Sequence, residues 1–199
     1  MSEKPEPETR FLCPYCSCPV EGFEALKIHV LAEHQTEPVP EAEGLINLIV
    51  NGNSYKFLVE PEWTLYQLIH DQLGLTGTKQ FCDRGACGSC TVIMNHRAIL
   101  SCMTLAIECD GAFIETVEGV AVSHPKLIEK YAEHHAMQCG YCTPGFVVTA
   151  KALLDKIPNP TDQEIRGALA GNLCRCGTYP QHPIAVQEFI KERNGQDNV

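Results

Sequence analysis

The sequence predicts an α+β fold in which a small sheet domain is followed by a bundle of four short helices. Three observations carry this. Two apolar runs, 45–50 and 55–59, flank Asn51-Gly52-Asn53, a strong signal for a tight hairpin. Past Gly119 the apolar residues recur at helical spacing, with Pro and Thr placed as helix starts. Of the 12 cysteines in 199 residues, ten fall into close-set groups, which concentrates the chemistry in a few short stretches.

Taken in order, residues 1–10 are rich in Pro and Glu with no apolar residue after the initiator, and are expected to form a disordered tail. Residues 11–36 carry Cys13, Cys16, His29 and His34 in the spacing C-x2-C-x12-H-x4-H. Two thiols in one turn and two imidazoles on a helix supply the four donors of a tetrahedral zinc ion, and the segment resembles a C2H2 zinc finger. A helix is expected over 23–34, with Phe11 and Leu26 where such a motif packs its small core. Cys18 leaves room for a different ligand set. The positions that would meet bases are Gly22, Ala25 and Ile28, none of which forms a bidentate contact, and Glu21, Glu24 and Glu33 outnumber Lys27. The segment is therefore expected to be structural or to dock protein. Residues 37–43, with Pro38 and Pro40 among acids, read as a stiff linker.

The sheet domain spans 44–118. After its first hairpin comes a helix with complete punctuation: Thr64 as cap, Gln67 closing a capping box, Trp63 stapling onto Leu68, and Gly74 as terminator. Next is Cys82-Asp-Arg-Gly-Ala-Cys87-Gly-Ser-Cys90, then a hairpin over 91–94 and 97–100 that delivers Cys102, and a last strand over 112–117. The spacing C-x4-C-x2-C-x11-C is plant-type ligation of a [2Fe–2S] cluster by Cys82, Cys87, Cys90 and Cys102, and the element order is that of a ferredoxin-like β-grasp. Gly85 and Gly88 let amides turn toward anionic sulfur. Structural zinc would more commonly use two C-x2-4-C pairs across a longer spacer. Arg84 is placed to tune the cluster or to touch a partner. Cys109 reads as a plain thiol and Trp63 as core, while His70, His96, His134 and His135 lack spaced partners.

The helical domain spans 119–199. Ser123-His-Pro125 opens a helix to 137, Thr143-Pro144 a second to 157, the capping box Thr161/Glu164 a third, and Pro183 a fourth. Cys139, Cys142, Cys174 and Cys176 fall between these helices as C-x2-C-x31-C-x-C. Alone the first pair would suit a thioredoxin-like redox motif, but that needs a βαβ setting. With the second pair, the better account is a second four-thiolate [2Fe–2S] site, favoured by the adjoining helix N-termini.

Together with Leu75-Thr-Gly-Thr-Lys79, Gln138-Cys-Gly-Tyr-Cys-Thr-Pro-Gly145, Pro160-Thr-Asp-Gln-Glu-Ile-Arg166 and Gly171-Asn-Leu-Cys-Arg-Cys176, these motifs resemble the small iron–sulfur subunit of the xanthine oxidase family, the molybdenum hydroxylases. The resemblance covers about residues 44–190 and does not extend to the finger. Phe81 stands where the family often has glycine, and Cys-Gly-Thr-Tyr at 176–179 replaces the more frequent Cys-Thr-Gly-Tyr. Neither change touches a ligand. The resemblance implies a large molybdopterin subunit and an FAD subunit as partners in a hetero-oligomer, with Gln138 and the Cys139 segment against the pterin. It further implies electron flow from molybdenum through the Cys139 set, then the Cys82 set, to FAD.

A net charge of −10 argues against nucleic acid, which is bound by neutralising phosphates. No stretch is long and apolar enough for a membrane span, and the polar, acidic start is unlike a signal peptide, so a reducing cytoplasm is expected. No nucleophile–base pair, phosphate loop or acid pair stands in a recognisable motif, which leaves one-electron transfer as this chain's chemistry. The competing reading is a stand-alone ferredoxin-like adaptor or sensor docked through its finger.

Overall fold

The computed structural model describes residues 10–13, 16, 18–21, 23–34 and 44–196. The chain divides into two compact units, Met1–Glu43 and Gly44–Val199. In the first, β1 (Arg10–Leu12) pairs antiparallel with β2 (Pro19–Glu21), Phe11 opposite Val20. The Cys13 N–H extends the ladder to the Cys18 carbonyl at 2.9 Å, closing the turn that carries Cys16. Helix α1 (Phe23–Glu33) follows. It stops one residue short of the expected His34, whose N–H still reaches the Val30 carbonyl at 3.1 Å. Of the expected tail only Arg10 is described, and it begins β1 instead; the linker 37–43, Gly22 and the Phe11 side chain lie outside the described residues.

The second unit opens with β3 (Leu45–Val50) and β4 (Asn53–Leu58). Asn51 and Gly52 both hold positive φ, 50° and 82°, so the turn uses two residues and Val50 pairs with Asn53. This is the hairpin that the sequence signals, with Asn53 already paired in β4. The sheet is completed by β5 (Thr91–Met94), β6 (Arg97–Leu100) and β7 (Phe113–Glu115) in the order β4-β3-β7-β5-β6. Only the β3/β7 pair is parallel.

Ile46, Leu48 and Val50 alternate inward along β3 and meet Leu65, Leu68 and Ile69 from the segment after Thr64. That segment begins as α2 (Leu65–Gln67) under the expected capping box: Thr64 Oγ1 accepts from the Gln67 N–H at 3.2 Å, and Gln67 Oε1 from the Thr64 N–H at 2.8 Å. It then widens into a π turn, Leu68–Gln72, before Gly74 at φ 68° ends it. The regular helix expected from the sequence is overridden there by packing, since the wider turn lets the neighbours Leu68 and Ile69 both bury completely. Trp63 packs against this core as expected.

The last strand stops before Thr116, and a helix the sequence did not announce, α3 (Val117–Ser123), precedes the four expected ones. Glu118 explains the early break: it accepts from the Gly77 N–H at 2.8 Å and from the Thr116 hydroxyl at 2.5 Å, tying the strand end to the loop ahead of the cysteines. Then come α4 (Pro125–Glu133), α5 (Thr143–Lys156), α6 (Asp162–Leu169) and α7 (Gln181–Gln196). Leu127, Tyr131, Phe146, Val147, Ile165 and Val186 form their core, and Ile93 of β5 joins it. Sheet and bundle thus share a wall. The Lys151 ammonium on α5 adds ion pairs to Glu115 of β7 at 2.5 Å and to Asp155 at 2.8 Å.

Helix α6 starts with the second expected capping box, Glu164 N–H to Thr161 Oγ1 at 3.3 Å and Thr161 N–H to Glu164 Oε2 at 2.7 Å. Thr161→Ala is expected to lower stability by about 1 kcal/mol, read as a lower urea midpoint with unchanged m. Among the described residues no helix is long and apolar enough to cross a membrane.

Candidate metal centres

The Cys82–Cys90 loop joins the π turn to β5 and doubles back through positive φ at Asp83, Gly85 and Gly88 (52°, 72° and 71°). Successive amides therefore face inward, and the Ala86 N–H donates to Cys82 Sγ at 3.2 Å. Burial pushes the Cys82 thiol up, but the Arg84 amide, the neighbouring Cys87 side chain and the Ala86 and Cys87 amides together bring it down to about 7. A short 3₁₀ turn after β6, Ser101–Met103, carries Cys102 back to within 3.3 Å of Cys90, sulfur to sulfur. Burial, then the Cys90 thiol, push Cys102 up to about 12, while the Gly85 amide pulls the other way. The four thiols thus stand as two adjacent pairs, Cys82/Cys87 and Cys90/Cys102.

The second set shows the same arrangement. Cys142 caps α5, with Cys139 just ahead of it, and Cys174 and Cys176 lie between α6 and α7. Cys142 sits beside Cys174 and Cys139 beside Cys176. The inner pair is buried and the outer pair exposed. The Tyr141 amide, then Cys176, lower the Cys139 thiol. Burial, then Cys174, push Cys142 up to about 12. Cys174 itself is raised by burial but brought down to about 7 by the Thr178 hydroxyl and amide, the Cys142 side chain and the Gly177 amide. Gln138 is exposed beside Cys139.

Donor chemistry fits two-iron clusters. A [2Fe–2S] core spreads four thiolates over two irons, two on each, so pairs should touch while the set as a whole stays open. Among the described residues neither set draws its four thiols within 4.8 Å of one another, whereas Cys13, Cys16, His29 and His34 do converge so closely. All 12 cysteines are unpaired. His70, His96, His134 and His135 join no such group; Cys109 is buried away from both sets, pushed up to about 11 by burial and then Glu108.

Three residues escaped the sequence reading. His182 is fully buried with a ring nitrogen within 4.8 Å of the Cys142 and Cys174 sulfurs. It stacks on Phe146 at 3.7 Å, and burial lowers it to about 4, so it is neutral. Its Nε2 lies 3.1 Å from Thr178 Oγ1, which lies 3.1 Å from Cys174 Sγ. The three atoms form a hydrogen-bonded chain from the ring to the sulfur; in the tautomer that donates from Nε2, the Thr178 hydroxyl is left to donate to Cys174. No spacing rule flags His182. The third, Asn172, sits inside a recognised motif, but its partner is 84 positions away: its Nδ2 donates to the Gly88 carbonyl at 3.0 Å.

Two further bonds help to fasten the segments of the second set to the stretch 80–88. The Leu173 N–H donates to the Cys87 carbonyl at 2.8 Å, and the Tyr141 hydroxyl to the Gln80 carbonyl at 2.6 Å. Contact is close enough to exclude side chains. A Cβ on Gly88 would lie 2.6 Å from the Gly171 carbonyl oxygen, and one on Gly145 would lie 2.4 Å from that of Gly88. Gly88 is thus required by the approach of the Gly171–Asn172 segment as well as by its own turn, and Gly145 by the approach of α5 to the Gly88 carbonyl.

The family described as "2Fe-2S iron-sulfur cluster binding domain" matches residues 48–114, and the "[2Fe-2S] binding domain" family matches 116–187. The nicotinate dehydrogenase small FeS subunit of Eubacterium barkeri is 47% identical over 148 residues, 73% of this chain and 94% of that one. The nicotine 6-hydroxylase small subunit of Paenarthrobacter nicotinovorans is 42% identical over 162 residues, 81% and 96% of the two chains. The crystal structure of quinoline 2-oxidoreductase from Pseudomonas putida 86 contains a chain that superposes with a TM-score of 0.71 at 38% identity, covering 78% of this chain and 98% of that one. Fold, thiol pairs and matched domains define a two-centre iron–sulfur electron carrier. More narrowly, the chain belongs to the small iron–sulfur subunits of the xanthine oxidase family, the electron-transfer subunits of molybdenum hydroxylases.

Proposed function

We propose that Cys82, Cys87, Cys90 and Cys102 hold one [2Fe–2S] cluster and Cys139, Cys142, Cys174 and Cys176 a second, and that electrons cross between the two sets through the Leu173–Cys87 hydrogen bond. Each cluster, when bound, takes up and gives back one electron. The single observation that carries the relay is that 2.8 Å bond: it joins the carbonyl of one ligand residue to the amide adjacent to another, with no side chain intervening. The exposed Cys139/Cys176 edge is where electrons enter, from a large subunit carrying molybdopterin, with exposed Gln138 against the pterin. They leave from the Cys82 side, where Asp83 and Arg84 are exposed, to an FAD subunit. The substrate pocket belongs to the large subunit; the named relatives act on nicotinate and nicotine. Twelve unpaired thiols suit a reducing cytoplasm.

Elemental analysis of the holoprotein tests the assignment. Two [2Fe–2S] clusters require about four irons and four acid-labile sulfides per chain. Electron paramagnetic resonance of the reduced protein should resolve two signals, because one set lies in an amide-lined loop and the other between helix ends. A single signal integrating to about one spin would refute the pairing of eight cysteines into two centres.

A further inference from the structure

We propose that the N-terminal unit is built around a single structural zinc ion held by Cys13, Cys16, His29 and His34. Their donor atoms all lie within 4.8 Å of one another. Two of the contacts are mixed: Cys13 Sγ to His34 Nε2 is 3.5 Å, and Cys16 Sγ to His29 Nε2 is 3.2 Å. Zinc bonds of about 2.3 Å to sulfur and 2.0 Å to nitrogen, at the tetrahedral angle, set sulfur and nitrogen about 3.5 Å apart. Both contacts are close to that edge. The two imidazoles meet edge to face at 73°, with centroids 5.3 Å apart, as two rings aimed at one point do.

The arrangement also discriminates among metals. A Cys2His2 set can hold a two-iron cluster, but then both sulfurs sit on one iron and both nitrogens on the other, giving like-with-like pairs. Here each thiol on the hairpin is paired with an imidazole on, or just past, α1, so one ion sits at the crossing point. Borderline-soft N2S2 donors in a closed tetrahedral set select zinc.

Folding gives a second, independent reason. Among the described side chains of this unit only Cys13 is buried, and Ile28 is 66% exposed. A unit of some forty residues is too small for a core alone to hold it and needs a staple, and the four donors tie the hairpin to the helix. The ion would be redox-silent and stand outside the electron path.

The test uses the full-length, cluster-loaded protein and the Cys13→Ser/His34→Ala double variant, each expressed with added zinc and analysed for zinc and iron together. The expected result is about one zinc per chain in the parent, background in the variant, and unchanged iron and visible cluster absorption in both. In parallel, growth on cobalt should give the parent the ligand-field bands of tetrahedral Co(II), absent from the variant. Equal zinc in parent and variant, with the metal in vacant cluster thiols, overturns the proposal. So does a parent without zinc, or a variant that loses iron in place of zinc.

Discussion

Replacing Cys142 with Ser in the assembled enzyme is expected to abolish turnover with artificial dyes and with the natural acceptor alike, while Cys90→Ser should spare dye reduction and eliminate only the natural route. The asymmetry follows from where the two thiols sit. Cys142 is buried beside Cys174, so it belongs to the inner edge of the set whose outer edge, Cys139 and Cys176, meets the surface. Losing a ligand there breaks the path before any dye can be reached, because a hydroxyl is a far weaker donor to iron than a thiolate. Cys90 is paired with Cys102 in the other set, beyond the Leu173–Cys87 bond. A dye can still draw electrons upstream of it. The measurement is steady-state reduction of a dye and of the natural acceptor, with iron and molybdenum assayed in each variant. If both variants lose all dye reduction while keeping molybdenum and the untouched cluster, the order of the relay is wrong.

Gly145→Ala should be strongly destabilising although Gly145 supplies no thiol to either set. Its Cβ would meet the Gly88 carbonyl oxygen at 2.4 Å, Ser89 Cα at 3.0 Å and Asn172 Nδ2 at 3.1 Å. Two of these are backbone atoms that no rotamer change can move, so α5 must lift off the first cysteine loop and strain the Asn172 and Leu173 bonds that fasten it. Overpacking of this kind costs roughly 3 kcal/mol, or about 6–12 °C in Tm for a chain this long. Gly167→Ala is the control: it lies in α6 with nothing within 4 Å of the added methyl, so helix propensity should leave it neutral or stabilised by up to about 1 kcal/mol. Thermal melts followed at the cluster absorption separate the two. A Gly145→Ala protein that melts with the parent would mean that the loops are not held by this contact.

Local chemistry is the part that the sequence could state. Thiol spacing within a loop, Thr and Gln or Glu three residues apart, and Asn-Gly between apolar runs each act over a few residues, so Cys82 to Cys90, both capping boxes and the β3/β4 hairpin were legible. The spacing of Cys13, Cys16, His29 and His34 was legible too, and folding brings their donor atoms within 4.8 Å of one another.

Whatever depends on residues far apart in the chain was decided by tertiary structure. The π turn at Leu68–Gln72 exists because the sheet accepts both Leu68 and Ile69. Helix α3 exists because Glu118 finds the amide of Gly77 across 41 positions. His182 and Thr178 gain a role only once α7 lies against Cys174. Above all, sequence motifs named two sets of four thiols, but only folding placed the Leu173 amide on the Cys87 carbonyl. Spacing fixes which residues share a loop; which loops touch is set by packing, where glycines at 88 and 145 let two backbones approach more closely than any side chain would permit.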